Sequence, residues 1–427
     1  MKFEYRSDKL ILNNEYIKDS LRIIYVDSLP GCRPVNNTSL TGANKMTDRL
    51  WNIALENIES NIIKTEDGEY FGAGQNFGLR IYTRDISYSG ILGVNSLYPR
   101  KILNSLKVTR NLRLGLGLRV SEGHMIHGLS GNWVQDSLSE KEFLKKYRTN
   151  CYTRRTDDVV WLWAAMDLFE KHPELADWQW IYENGKNCFD KLYDPFFDPA
   201  DGLYRGQASF IDIHFLERKA SGYPQDFSVE ECVMIKSTST NCLYYKGLLS
   251  MASAAKKLNK PEEASEWLQK AKKLKQAIVS NLRFEDSTFA YFKHTNGELE
   301  QRRDAFGAAL AVVTGIVEGD DALKAIAGYP VSWAGVPLFY PFYPGKASYH
   351  NNTAWPFVDT FFLWAKEIAE GKDYTSFNAA LLARTCVKDG SFHEVVNWST
   401  KNPMGSGSQL WSASAFVNVC RRADLFK

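Results

Sequence analysis

The sequence predicts an all-α fold in which one layer of helices lies inside another. Three observations lead there: several helical segments are apolar nearly all round, others are amphipathic, and the two kinds alternate along most of the chain. A helix with no polar face must be covered on every side, whereas one with a single apolar stripe lies at a surface. Their alternation implies helical hairpins whose inner members are encircled by outer ones.

Residues 1–43 stand apart from this pattern. Short apolar pieces, Leu10-Ile11-Leu12 and Leu21 to Val26, are broken by Pro30, Gly31 and Pro34, which predicts strands or loops that brace the main body. From Thr47 onward the periodicity is helical. Leu50, Trp51, Ala54, Leu55, Ile58 and Ile62 make one apolar stripe, and Glu262 to Leu282 carries another. Val159 to Met166, Thr353 to Ala365 and Leu410 to Val419 have no wet face and are predicted to be inner helices. Two long interruptions, Leu114 to Tyr152 and Tyr193 to Lys236, read as functional loops, because structureless stretches of this length are uncommon in a compact domain.

Composition excludes several classes of function. With 52 Lys and Arg against 50 Asp and Glu, the net charge of +2 provides no field for nucleic acid or an anionic membrane. No run of about 18 apolar residues offers a membrane span. The first residues lack the apolar core of a signal peptide, which leaves the compartment open: cytoplasmic, or periplasmic or secreted if a leader is removed. Seven isolated cysteines without C-x-x-C spacing suit buried apolar positions better than a disulfide framework or zinc site. His124 and His127 are close enough to share a metal, yet no acidic or Cys partner follows at a matching interval, so neither a metal nor another cofactor is called for. The oligomeric state is not legible. Aromatic content is 13%, with 12 Trp and 21 Tyr, which suits both large core residues and the apolar faces of sugars.

Polar and charged groups gather just ahead of the apolar helices. Arg84 and Asp85 in Tyr82-Thr83-Arg84-Asp85 open one such helix after a Gly-rich stretch from Gly72 to Gly78. Arg154, Arg155, Asp157 and Asp158 open a second, with Thr156 as an N-cap candidate. Tyr349-His350-Asn351-Asn352-Thr353-Ala354-Trp355-Pro356 opens a third, with the proline in the first turn, and Glu394, Trp398 and then Gln409-Leu410-Trp411-Ser412-Ala413 precede the last. Each acidic group could simply cap its helix, as could Asp304 in Arg302-Arg303-Asp304. Recurrence of the layout at successive inner helices instead brings the clusters to one mouth.

At these four places the chain resembles the six-hairpin glycosidases, a group that includes glucoamylases, trehalases, processing α-glucosidases and the glucosidase half of glycogen debranching enzymes. Tyr82 to Asp85 is similar to the block with which glucoamylase-type enzymes grip the terminal sugar. Tyr349 to Pro356 resembles the Tyr-His-Asn-Gly-Thr-x-Trp-Pro block of debranching-type enzymes, with Asn352 in place of Gly. Glu394 followed by Gln409 to Ala413 resembles the Pro-Glu and Gln-x-Trp-Ser-Ala-Ala ending in which the Glu is the catalytic base, with His393 in place of Pro.

The resemblance implies an (α/α)6 toroid as the catalytic domain over residues 44–427, with residues 1–43 as a short irregular or β extension packed on it. It also implies an inverting, exo-acting, α-glucosidase-like glycoside hydrolase acting on an oligosaccharide or glycan. Glu394 is then the general base, and the general acid comes from the loop Gly202 to Lys236. Within that loop Gly206 to Asp212 resembles the acid-bearing element, making Asp212 the first choice and Glu230 or Glu231 the alternatives, while Glu217 and Asp226 read as solvated charges. Tyr82, Arg84, Asp85, Asp157, Asp158, His350, Trp355, Trp398, Gln409 and Trp411 would bind the sugar. Acetal cleavage needs one protonated and one ionised carboxyl, and inversion needs them about 6.5–9.5 Å apart to admit a water. A phosphorylase on the same barrel, with Gly405-Ser406-Gly407-Ser408 holding phosphate, is one alternative. Others are a lyase or epimerase using His or Tyr on a related barrel and a barrel that binds sugar without cleaving it.

Overall fold

The computed structural model describes residues 2–6, 9–13, 22–31, 39–66, 68–78, 80–115, 124–125, 156–211, 222–227, 229–346, 348–386 and 388–425. Asp212, Glu217, His127 and the segment 151–155 lie outside them. Twelve of the described helices alternate between an outer and an inner position. They are α1 (Lys45–Ser60), α2 (Thr83–Ser89), α3 (Pro99–Gly115), α4 (Asp157–Lys171), α5 (Trp178–Cys188), α6 (Thr238–Lys257), α7 (Pro261–Asn281), α8 (Ala305–Val313), α9 (Gly319–Ala325), α10 (Pro356–Glu370), α11 (Thr375–Cys386) and α12 (Leu410–Arg422).

The even-numbered helices form a closed ring: α2 packs on α4, α4 on α6, α6 on α8, α8 on α10, α10 on α12, and α12 back on α2. The odd-numbered helices cover them. α3 touches α2 and α4, α5 touches α4 and α6, α9 touches α8 and α10, α11 touches α10 and α12, while α7 lies along α6 and α1 along α12. This is the (α/α)6 toroid. The reason is visible in burial: every residue of α8 from Ala305 to Val312 is buried, whereas α7 buries only the stripe Ala264, Trp267, Ala271, Leu274 and Ile278. The three helices predicted to be inner are α4, α10 and α12. Thr353 and Ala354 prove to be a short strand, and α10 begins at Pro356, which occupies a first-turn position where no N–H is needed.

Ahead of the ring, strands Lys2–Arg6, Lys9–Asn13 and Arg22–Tyr25 form an antiparallel sheet, and the first two touch α11. The five described cysteines, Cys188, Cys232, Cys242, Cys386 and Cys420, are buried free thiols. Among the described residues no helix is long and apolar enough to cross a membrane, and no three His, Cys, Asp or Glu residues are grouped to hold a metal.

Between α2 and the outer layer the chain passes through a π-helical segment, Gly90–Val94, in which Gly93 adopts φ 133°. A Cβ on Gly93 would lie 2.6 Å from Val417 Cγ1 on α12. Glycine is needed here twice over, for its backbone conformation and for the close approach of this segment to α12. Gly93→Ala should destabilise the fold by about 2 kcal/mol or more, from backbone strain together with overpacking. Urea unfolding would show this, and an unchanged midpoint would contradict the packing described.

Candidate active site

Four of the inner helices are preceded by a two-residue strand that pairs with a loop further along the chain. Arg80–Ile81 pairs with His124–Met125, Lys236–Ser237 with Phe292–Lys293, Arg303–Asp304 with Phe339–Tyr340, and Thr353–Ala354 with Val395–Asn397. These pairings knit the N-terminal ends of the inner helices into one rim. A helix N-terminus leaves four N–H groups without intrahelical partners, so a rim of buried N-termini must be rich in polar side chains. The Arg84 guanidinium on α2 meets Asp157 on α4 at 3.0 Å, with both side chains buried. Gln409, at the N-cap of α12, donates from Nε2 to Asp85 Oδ1 on α2 at 2.9 Å. Across the ring Asp304 caps α8 by accepting from Phe306 N–H at 2.9 Å and also meets the Ser239 hydroxyl on α6.

Glu394 is 4% exposed and is gripped at both carboxylate oxygens. The Tyr349 hydroxyl donates to Oε1 at 2.9 Å and the Ser406 N–H to Oε2 at 3.1 Å, while Glu394 N–H donates to Ser406 O at 2.9 Å. Gly405, at φ 76°, passes so close that a Cβ there would lie 2.5 Å from Glu394 Oε2. On the far side of Ser406 is Gly74, where a Cβ would come within 2.6 Å of Ser406 Oγ and closer still to Gln409 Oε1. Glu394, Ser406, Gly74, Gln409 and Asp85 are therefore a contiguous series along the rim.

An aromatic wall completes it. His350 stacks on Trp355 with ring centroids 5.4 Å apart and planes within 8°, and Tyr349 stands edge-on to both rings. Trp355 meets Trp411 edge-on at 5.8 Å, and Trp411 stacks on Phe357 of α10 at 4.4 Å. Trp411 Nε1 is buried and has no hydrogen-bond partner among the described residues.

The structure thus brings together Arg84, Asp85, Asp157, His350, Trp355, Glu394, Gln409 and Trp411 from several separate stretches of sequence. Asp158 is disposed differently: its partner is Arg110 of the outer helix α3, whose guanidinium also lies over the Trp161 ring. Trp398 belongs to a small separate cluster with Ala334, Ala354 and Val396, and Tyr82 is half-buried against Phe77. Thr156 occupies the N-cap position of α4, but its side chain makes no cap; its hydroxyl shares a hydrogen bond with Ser209 at 3.0 Å. Glu231 is half-buried and Asp226 exposed, while the side chain of Glu230 lies outside the described set. Asn352, the departure from glycine in the Tyr349–Pro356 block, has φ 56°, a left-handed conformation that asparagine tolerates better than most residues.

Tyr349 and Phe210 belong to this site and were not among the residues singled out from sequence as binding groups, while Ser406 was named only as part of a phosphate loop in the phosphorylase alternative. Tyr349 opens the resembling block. Phe210 gave no signal.

The chain matches no protein-family model, and no curated protein matches it in sequence. In three dimensions it is similar to a glycosidase solved as a glutamate-to-alanine variant, at 15% identity over 89% of this chain and 98% of that one, with a TM-score of 0.63. A second glycosidase glutamate-to-alanine variant, in complex with glucose, matches at 15% identity over 89% of this chain and 98% of that one, with a TM-score of 0.59. A GH78 family rhamnosidase of Bacillus sp. GL1 matches at 15% identity over 88% of this chain and 35% of that one, with a TM-score of 0.60. These likenesses define the class of fold: the six-hairpin toroid that these glycosidases share.

Burial outweighs the Gly307 and Phe306 N–H groups and the Ser239 hydroxyl, and pushes the Asp304 carboxyl up to about 7. A carboxyl raised in the folded state favours folding below its ordinary unfolded value, and this contribution is lost as pH rises through about 7. Asp304→Asn keeps an oxygen for the Phe306 N–H and has no charge to desolvate. Relative to the parent, the variant should therefore gain thermal stability as pH rises from about 4 to about 7 and level off above it. A melting-temperature difference that stays constant with pH would rule this out.

Proposed function

We propose that this chain is an inverting, exo-acting glycoside hydrolase of α-glucosidase type, in which residues 44–427 form the catalytic barrel and residues 1–43 brace it. The observation that carries this reading is the grip on Glu394. A carboxylate held at both oxygens, buried at a rim of Arg84, Asp85, Asp157 and Gln409 and beside stacked rings, suits a general base that aligns water beneath a bound sugar. The aromatic faces suit the apolar face of a pyranose, and the Trp411 N–H and the rim carboxylates suit its hydroxyls. A structurally similar glycosidase was solved in complex with glucose, which supports a sugar as the substrate.

Asp212 is the proposed general acid. It lies outside the described residues, but Phe210, two positions earlier, touches His350, Trp355 and Trp411, and two residues reach at most about 7 Å. The reaction then follows: the acid protonates the glycosidic oxygen, Glu394 takes a proton from water, and the water attacks the anomeric carbon from the opposite face. The phosphorylase alternative is disfavoured by the Ser406 N–H. The loop that would have to hold phosphate spends that donor on Glu394 itself, and an anion there would meet the carboxylate.

Glu394→Gln should lower kcat about 10²–10⁴-fold with little change in KM, because base catalysis acts in the transition state. The assay is sugar release from aryl glycosides of α-glucose, α-mannose, α-galactose and α-rhamnose, and from oligosaccharides, with and without phosphate; a requirement for phosphate would reverse the choice of reaction. Asp212→Asn should impair the natural glycan far more than an aryl glycoside, whose leaving group scarcely needs the proton. Equal losses on both would remove Asp212 from the role. Proton NMR of the first product formed would report inversion or retention.

A further inference from the structure

We propose that the turn Ala208–Ile211 is a plug on the barrel axis, and that Phe210 sets the depth of the sugar site and so makes it specific for an unsubstituted chain end. This rests on the hydrolase reading above and adds to it a residue that determines specificity.

The geometry is that one short turn touches all six inner helices. Ser209 takes three of them: its hydroxyl shares hydrogen bonds with Tyr88 of α2 at 2.9 Å and with Thr156 at the N-cap of α4 at 3.0 Å, and its N–H donates to Ser239 Oγ of α6 at 3.1 Å. Phe210 takes the other three, standing edge-on to Phe306 of α8 at 5.6 Å, Phe357 of α10 at 5.0 Å and Trp411 of α12 at 6.2 Å. A group that meets every member of a closed ring lies across its axis. The Phe210 ring also meets Trp355 at 5.1 Å and His350 at 6.1 Å, the wall that continues through Tyr349 to Glu394.

The turn is held in place more firmly than core filling requires. Gln207 O accepts from the Ser237 hydroxyl at 3.1 Å and the Thr240 hydroxyl at 2.5 Å; Tyr223 Oη accepts from Ala208 N–H at 3.2 Å and donates to Ile211 O at 2.9 Å. Phe210 itself sits at φ 55°, a left-handed conformation that a bulky residue seldom adopts and that persists only where surroundings over-determine it. Phe210 is buried, and its ring closes the axis directly beneath the His350, Trp355 and Trp411 rings. A sugar seated against that wall would have this ring at its inner end, so groups attached to its innermost hydroxyls would have nowhere to go.

The test is to enlarge the floor and offer larger sugars. Phe210→Gly removes the ring and suits the left-handed backbone; Phe210→Leu removes less and keeps more of the buried contact. Both are assayed on the aryl glycoside that the parent hydrolyses fastest and on its single O-methyl ethers, four for a hexose and three for rhamnose. The parent should reject at least one ether, since one methyl group in a closed pocket is worth roughly 10–200-fold. For that ether, the ratio of its kcat/KM to that of the unmodified glycoside should rise at least tenfold in one of the variants. Parent enzyme that accepts every ether, or folded variants in which no ratio rises, would overturn the plug while leaving the hydrolase reading standing. If the parent hydrolyses no aryl glycoside or oligosaccharide, the hydrolase reading fails and takes this proposal with it.

Discussion

Closing six helices into a ring confines their N-terminal ends to one buried rim, and most of what is distinctive in this molecule follows from satisfying that rim. Each inner helix starts with N–H groups that have no partner of their own and with the positive end of its dipole. Acidic and polar side chains gather at these starts, Asp85 on α2, Asp157 and Asp158 on α4, Asp304 before α8 and Gln409 before α12, and Asp304 caps its helix outright by accepting from Phe306 N–H. Once acidic groups gather there, counter-charges must follow, and Arg84 and Arg110 supply two of them. A concentration of buried, oriented, partly compensated polar groups is also what catalysis of acetal cleavage requires. Stability and the proposed chemistry would therefore draw on the same residues, Asp85 and Asp157 among them.

The layering was legible because encircling apolarity has one physical solution. Val159 to Met166 and Leu410 to Val419 cannot present a face to water, and neither does. The ends were less legible: Thr353 looked like the start of a helix, but its neighbours were claimed by a strand pairing with Val395–Asn397 that lies more than 40 residues away. Much of the rim could be picked out because a charged cluster recurs ahead of successive apolar helices, and Glu394 because the block after it resembles a known ending. Asp158 shows the limit. Its position in the first turn equals that of Asp157 to within one residue, but one residue rotates a helix by about 100°, and this turns it toward Arg110 in the outer layer. Phe210 was illegible for a different reason: nothing in a loop's sequence says that it lies across the axis of a ring built from six other segments.

Glycines mark the closest approaches. Gly74 and Gly405 let two loops lie against Gln409 and Glu394, and Gly93 lets the π-helical segment after α2 lie against α12. At each a single methyl group would displace a candidate site residue or push that segment off α12. The left-handed Asn352 belongs with them, since the debranching-type pattern has glycine there and the backbone conformation explains why.

The contact between α2 and α12 joins the first inner helix to the last, over three hundred residues apart in sequence. The other neighbouring pairs in the ring can form as the chain lengthens, whereas this one must wait for the C-terminal helix, and it closes a loop of nearly the whole domain. The site straddles that seam, with Arg84 and Asp85 on one side and Glu394, Gln409 and Trp411 on the other. On the proposed assignment, a chain with five of its six inner helices in place still lacks half of its candidate catalytic groups. Docking of the final helix would complete the fold and bring those groups together in one event, so a product truncated before it should be inactive.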